Sequence, residues 1–325
     1  MIKKKILLIG GSGFVGSSLI PKLKNFNISN IDLKESKVYD KTQIIDIRNF
    51  ELLNKHINDD IDTVILLAAE HKDNIKPYKL YYDVNVEGTK NVLNIMDKKK
   101  INNLIFTSTV AVYGFSDNSP NEKSIINPFN HYGKSKYKAE ILIKDWFNSN
   151  PKKKSATIIR PTVIFGIKNR GNVYNLFNQI QSGKFIMIGN GLNKKSIAYI
   201  ENVTDFIKSR LFSSENFEIF NYSDKPDLTM NELVSIVSNT LGIKIINFKL
   251  PYTFGLLVGY LFDFLSYMTN LKFPLSSIRI KKFCSNTQFN SKKSMSTFKP
   301  KHDIKKSIEK TILFEFKGKN KIYVK

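Results

Sequence analysis

The chain is 325 residues long, 42% hydrophobic, and carries 51 lysines and arginines against 28 acidic residues, a formal net charge of +23. That length and apolar content suffice for one large α/β domain plus a smaller lobe, and they exclude a disordered or fibrous chain. A lone cysteine, Cys284, excludes an internal disulfide framework and points to a reducing compartment, with the thiol expected to be buried and inert.

The positive surplus sits in short scattered runs such as Lys3–Lys5, Lys98–Lys100 and Lys152–Lys154. No helix-turn-helix, RNP or zinc-finger pattern accompanies them, so nucleic acid is not an expected partner. An anionic membrane surface is a better one, since each nearby Lys or Arg contributes about 1 kcal/mol there. No metal site is expected. The N-terminus enters a strand at once, so no signal peptide is expected and a cytoplasmic location is the expectation.

The first predicted element is the apolar run Ile6–Ile9, read as a buried parallel strand. It is followed by Gly10, Gly13 and Gly16 and a helix over Phe14–Lys24. Glycines spaced in this way between a strand and a helix form a cradle for a pyrophosphate. Gly10 makes the tight turn, Gly13 admits the phosphates to the backbone, and Gly16 lets helix and strand pack. A second strand, Ile28–Ile31, ends at Asp32, 22 residues past Gly10. An acid there accepts from the ribose hydroxyls and repels a 2′-phosphate, so the expected cofactor is NAD rather than NADP.

Strands and helices then alternate: strands over 43–46, 63–68, 104–107 and 156–160, with helices over 50–57, 85–98 and 132–148 between and after them. Alternation of this kind specifies a doubly wound parallel sheet whose ligand lies beyond the carboxyl ends of the strands. The residues at those ends are the informative ones: Asp46-Ile47, Leu67-Ala68 with His71 just beyond, Thr107-Ser108-Thr109, and Arg160-Pro161-Thr162. We expect a Rossmann-type α/β fold with a cofactor domain over 1–165 and a smaller C-terminal α/β substrate lobe over 166–325, whose pieces interleave.

The start of the 132–148 helix carries Tyr132-Gly133-Lys134-Ser135-Lys136. Four residues apart, Tyr132 and Lys136 share one helix face. A cation held beside a phenol favours the phenolate and brings it toward service as a base at neutral pH. Lys136 can also donate to the nicotinamide ribose. A hydroxyl from Ser108 or Thr109 can hydrogen-bond the reacting sugar oxygen and share its proton with Tyr132.

These motifs together, with Asn85 in Asp83–Thr89, Val112-Tyr113-Gly114 and Arg160-Pro161, resemble the extended short-chain dehydrogenase/reductases, and within them the NAD-dependent nucleotide-sugar epimerases and dehydratases. The resemblance implies that Gly10, Gly13, Phe14, Val15, Gly16, Asp32, Asp46, Ile47, Leu67, Ala68, His71, Asn85, Tyr132, Lys136 and Pro161 line the NAD site. It implies further that Thr109, Ser108 and Tyr132 act on the sugar, with Arg170 and Lys195 near the substrate diphosphate. The stretch Arg160–Val163 holds no Asn where galactose-type epimerases place one. Leu66–Asp73, Tyr81–Val86, Pro128–Lys136, Asn169–Leu176, Asp224–Leu228 and Lys281–Cys284 are more similar to bacterial epimerases of a lipid-linked sugar. That likeness implies conversion of N-acetylglucosamine to N-acetylgalactosamine on a diphospho-undecaprenol carrier for O-antigen assembly, by an enzyme held at the inner face of the membrane. Tyr132 would take the proton of the 4-hydroxyl while C4 gives up hydride, and both would return after the ketone turns over.

A UDP-linked hexosamine epimerase, a 4-keto-sugar reductase that consumes NADH and a catalytically idle NAD-binding protein stand as alternatives. A homodimer through the helices over 85–98 and 132–148 is expected from the resemblance. One apolar segment, Pro251–Met268, is flanked by Lys249 and Lys272, includes Asp263, and is shorter than the roughly 20 residues of a spanning helix. It reads either as a buried helix of the lobe or as an interfacial helix dipping into lipid.

Overall fold

The computed structural model describes residues 3–72, 75–115, 119–245, 248–269, 271, 273 and 276–317. Asp73 and Lys272 lie outside the described residues. Thirteen strands are present among the described residues: β1 (Lys5–Ile9), β2 (Asn27–Asp32), β3 (Thr42–Ile44), β4 (Thr63–Leu66), β5 (Asn103–Thr107), β6 (Ser155–Pro161), β7 (Val163–Phe165), β8 (Met187–Ile188), β9 (Lys194–Lys195), β10 (Ile197–Tyr199), β11 (Phe217–Tyr222), β12 (Leu228–Thr229) and β13 (Lys249–Leu250). The α-helices are α1 (Phe14–Leu19), α2 (Phe50–His56), α3 (Lys79–Tyr82), α4 (Gly88–Lys98), α5 (His131–Asn148), α6 (Asn172–Gln181), α7 (Ile200–Arg210), α8 (Met230–Leu241), α9 (Tyr252–Thr269), α10 (Ser277–Cys284), α11 (Lys292–Thr297) and α12 (Ile304–Phe316).

Seven strands form one parallel sheet in the order β11-β6-β5-β4-β1-β2-β3. The order reverses between β1 and β4, and a crevice opens at that switch point beyond the strand ends. Strands buried on both faces read as continuous apolar runs, as Ile6–Ile9 and Val64–Leu66 do, all at or near zero exposure. One face of the sheet packs on α2, α4 and α5 through residues such as Leu53, Val92 and Ile143. The other packs on α1 and α7 through Leu19, Val203 and Phe206. A separate cluster, including Phe177, Leu233 and Ile308 from α6, α8 and α12, is the core of the lobe.

Three boundaries depart from the sequence expectation for physical reasons. The strand expected over 63–68 ends at Leu66, because the N–H groups of Leu67 and Ala68 both donate to the Ile9 carbonyl, 2.8 Å each, and the chain turns out of the ladder. The helix expected over 14–24 tightens to a 3₁₀ turn at Ile20–Leu23, where Pro21 offers no N–H. The helix expected over 85–98 begins at Lys79 and passes through a π-helical segment, Asp83–Glu87, before α4. The sheet also takes an edge strand, β11, from beyond residue 165.

The apolar segment forms α9, and it is not a buried helix. Only Gly255 and Gly259 of its 18 residues are buried. No helix among the described residues is long and apolar enough to cross a membrane.

Candidate active site

The glycine loop closes over the switch point. Gly10 has φ +91°, and a Cβ there would lie 2.4 Å from Ala68 N, so the turn passes against the first residues after β4. Gly16 is required for the same kind of reason, since its Cβ would meet Gly11 Cα at 2.3 Å. Gly13 differs. A Cβ there would meet only Gly10 O, at 3.4 Å, so the chain's own packing leaves room for a side chain. The space over Gly13 is the cradle expected for a pyrophosphate, followed at once by Phe14 and Val15 of α1. Asn30 and Asp32 hold the loop from β2: Asn30 Oδ1 accepts from Gly11 N at 3.1 Å, and Asp32 Oδ2 accepts from Ser12 N at 2.9 Å. Asp32 therefore sits beside the loop, with carboxylate lone pairs left for a ribose. These features fit a dinucleotide.

The first turn of α5 is fixed from several directions. Asn130 caps it, its side chain accepting from Gly133 N at 2.8 Å. Asn85, fully buried in the π-helical segment, donates to Ser135 Oγ (2.9 Å) and Glu70 O (3.0 Å) and accepts from Glu70 N (2.8 Å). Ser135 Oγ in turn donates to the Tyr132 carbonyl at 2.9 Å. Through these bonds Asn85, expected beside the cofactor, braces the turn that carries Tyr132 and Lys136.

Lys136 is 1% exposed, with Nζ 4.0 Å from the centroid of the Phe106 ring on β5. Burial pulls its ammonium down to about 7, partly opposed by the Glu140 carboxylate one turn on. Glu140 is the hub of a network the sequence reading did not assign. Arg160 Nη2 lies 2.5 Å and Arg160 Nε 3.0 Å from its two carboxylate oxygens, and Arg160 Nη1 donates to Tyr113 Oη at 2.6 Å. Tyr113 Oη donates to Asn221 Oδ1 at 2.8 Å, and Asn221 Nδ2 donates to Pro120 O and Asn290 O. The phenol of Tyr113 is pushed up by burial and so donates as a neutral group. One sequence signal pointed to Glu140: it repeats the four-residue spacing of Tyr132 and Lys136 along the same helix face.

The Ser108 hydroxyl donates to Glu140, inside the network. Ser108, expected near the sugar, thus also holds Glu140 in place. Thr109 Oγ1 instead accepts from Ala111 N at 3.1 Å and keeps its own hydrogen to donate. Pro161 ends β6 in register with Tyr222, and next to it Thr162 Oγ1 is buried with no partner among the described residues.

The other expected residues are more dispersed. Asp46 is clasped by Arg48 at 2.5 Å, which holds its carboxyl below the usual range, while Ile47 is buried beneath Gly88. His71 is exposed, its backbone N–H donating to Glu70 Oε1 at 3.0 Å. In the lobe, Arg170 pairs with Glu315 at 2.9 Å and stacks on the Tyr174 ring at 4.2 Å. Lys195 Nζ donates to the carbonyls of Lys282 (2.9 Å) and Ser285 (2.7 Å), and burial brings it down to about 8. Two of its three N–H donors are thus engaged by the end of α10.

Gly13→Ala should leave the melting temperature unchanged yet weaken dinucleotide binding about tenfold or more, whereas Gly16→Ala should destabilise the fold by about 1–3 kcal/mol. Equal melting losses for both, with unchanged binding, would contradict the cradle. For Lys136 the folded-state value of about 7 lies below the unfolded one. Between them the unfolded chain binds the extra proton, and stability rises with pH. The stability difference favouring Lys136→Met over the wild type should therefore be largest below pH 7 and shrink as pH rises. A pH-independent difference in urea denaturation would contradict the burial.

Comparison with known proteins bears on the same residues. Residues 6–221 match the NAD dependent epimerase/dehydratase family. The chain is 50% identical, over 96% of its length and 95% of the relative's, to N-acetyl-alpha-D-glucosaminyl-diphospho-ditrans,octacis-undecaprenol 4-epimerase of Escherichia coli O157:H7. It is 26% identical, over 77% of this chain and 84% of the relative, to a UDP-glucose 4-epimerase of Lactobacillus helveticus. In fold it is similar to the UDP-glucuronic acid 4-epimerase of Bacillus cereus solved with NAD, with a TM-score of 0.74, 20% identity and coverage of 98% of this chain and 100% of that one. With the glycine cradle after β1, Asp32 at the end of β2 and the Tyr132/Lys136 turn opening α5, the chain belongs to the NAD dependent epimerase/dehydratase family.

Proposed function

We infer that this protein is an NAD-dependent sugar 4-epimerase that interconverts N-acetylglucosamine and N-acetylgalactosamine on a diphospho-undecaprenol carrier, in surface-polysaccharide synthesis. The observation that carries the substrate is the 50% identity over 96% of the chain to an enzyme named for that reaction. The site supports the chemistry. We assign the cofactor to residues 1–165 and the sugar mainly to 166–325.

The Gly10–Gly16 loop, Asp32, Asp46, Ile47, Leu67, Ala68, His71, Lys136 and Pro161 would hold NAD. When bound, the nicotinamide supplies a reversible acceptor for the hydrogen at C4. Tyr132 Oη takes and returns the proton of the 4-hydroxyl, and Lys136 beside it favours the phenolate. Thr109 donates its hydroxyl hydrogen to the same sugar oxygen. The Glu140–Arg160 pair works at one remove, fixing β5, β6 and α5 so that these groups keep their places. No net redox change results, so the cofactor stays bound through turnover.

We place the enzyme at the inner face of the cell membrane, in keeping with a lipid-borne substrate and a charge of +23, and as a homodimer pairing through α4 and α5, where Ile141 is exposed. Tyr132→Phe should lower kcat about 10³-fold while leaving NAD binding and melting temperature near wild type. In the same assay, lipid-linked N-acetylglucosamine should be converted and UDP-linked N-acetylglucosamine should not, without stoichiometric loss of NADH. Full activity of Tyr132→Phe would remove the assigned base, and turnover of the UDP sugar alone would replace the substrate.

A further inference from the structure

Helix α9 packs inside out. An ordinary surface helix turns its large apolar side chains toward the protein, but here the buried stripe is Gly255 and Gly259. Both glycines are required by the contact. A Cβ at Gly255 would lie 2.8 Å from Ile188 Cγ2, and one at Gly259 would lie 2.8 Å from Ile280 Cδ1 and 2.9 Å from the Ser277 backbone. Phe254, Leu257, Leu261, Phe264 and Met268, spaced as one helical face, point outward instead, with Leu257 67% and Phe264 60% exposed. The helix is 18 residues, about 27 Å long, short of the roughly 30 Å of a bilayer core. It is built to lie along a surface rather than to cross one.

Charge decides what that surface is. The hairpin of β13, α9 and α10 carries Lys249, Arg279, Lys281 and Lys282 against Asp263, and the Asp263 carboxylate is engaged by Ser277 N at the start of α10. A second copy of the same basic face would be repelled, and an anionic lipid leaflet would be attracted. The Lys281 ammonium stands 5.4 Å over the Tyr260 ring, which puts a cation beside the apolar face. The hairpin also touches the site. The end of α10 offers the Lys282 and Ser285 carbonyls to Lys195, and Lys282 Nζ lies 4.8 Å over Phe129, three residues before Tyr132.

We propose that the exposed face of α9, with the basic residues of α10, is the surface that docks on an anionic bilayer, and that it holds the Lys195–Phe129 side of the lobe against the headgroups, where a lipid-borne sugar diphosphate lies. The second half of this statement rests on the function proposed above; the first does not.

The test is flotation of the full chain with vesicles of phosphatidylethanolamine and phosphatidylglycerol, free of any polyprenol, against phosphatidylcholine alone. The wild type should float with the anionic vesicles and lose most of that binding on phosphatidylcholine or at high salt. Leu257→Glu/Phe264→Glu should weaken partitioning about a hundredfold or more. Its melting temperature and its turnover of a water-soluble short-chain prenyl substrate should stay near wild type. Ile125→Glu, which alters a still more exposed apolar residue elsewhere, should float normally. The proposal is overturned if the wild type does not float, if the double variant floats as well, or if without vesicles the double substitution turns a dimer into a monomer, since the face would then be covered by a second copy. Flotation as expected with activity only on a UDP-linked sugar leaves the docking surface and removes the function reading. Activity on the lipid-linked sugar without flotation does the reverse.

Discussion

The site depends on a charged network placed where a core would ordinarily be apolar. Glu140 and Arg160 are 4% and 3% exposed and meet through two hydrogen bonds, with Lys136 buried a turn away. Taking such charges out of water costs several kcal/mol per ion unless geometry and further hydrogen bonds compensate. Here every partner comes from a different element: Ser108 after β5, Arg160 in β6, Asn221 in β11, Tyr113 in the turn after Thr109. Shifting any one of them exposes an unpaired charge to a low-dielectric interior, so the strand ends and the first turn of α5 are locked together. That locking gives Tyr132 and Lys136 a fixed place beyond the sheet.

The network also explains why the chain past residue 165 cannot be separated cleanly from the chain before it. Asn221 lies on the edge strand β11, accepts from Tyr113 and donates to Pro120 and Asn290. A single amide thus ties the turn after β5, the loop leading to α5 and the segment before α11. The lobe keeps its own apolar core of α6, α8 and α12, while α7 and β11 join the sheet through an apolar cluster that includes Val203, Phe206 and Phe220, to which the Asn221 bonds add fixed polar points. A substrate held between the two would meet a rigid floor of strand ends and a lobe anchored at defined points.

Much of this was legible in the residues. Apolar runs ending in Gly10, Asp32 and Ala68 located the parallel strands, and the four-residue step from Tyr132 to Lys136 located the helix face that bears them. What escaped did so for identifiable reasons. The end of β4 depends on two N–H groups sharing the Ile9 carbonyl, which no local pattern encodes. The π-helical segment around Asn85 carries an amide that bonds Glu70 and Ser135, partners 15 and 50 residues away. Arg160 was legible as a strand-end residue, but its pairing with Glu140, 20 residues away, appears only when the fold brings them together. The apolar stretch of α9 read equally as a buried helix of the lobe or as an interfacial helix, and the burial of Gly255 and Gly259 alone removes the first reading, because only packing shows which side of a helix faces inward.

Epimerisation should be followed in ordinary water with lipid-linked N-acetylglucosamine bearing deuterium at C4, by mass spectrometry and NMR of the product. If Tyr132, Lys136 and the bound nicotinamide converge on that carbon, the N-acetylgalactosamine formed keeps its deuterium at C4 and takes up no solvent hydrogen there. Loss of the label to water, or inversion with the label elsewhere in the ring, would contradict it.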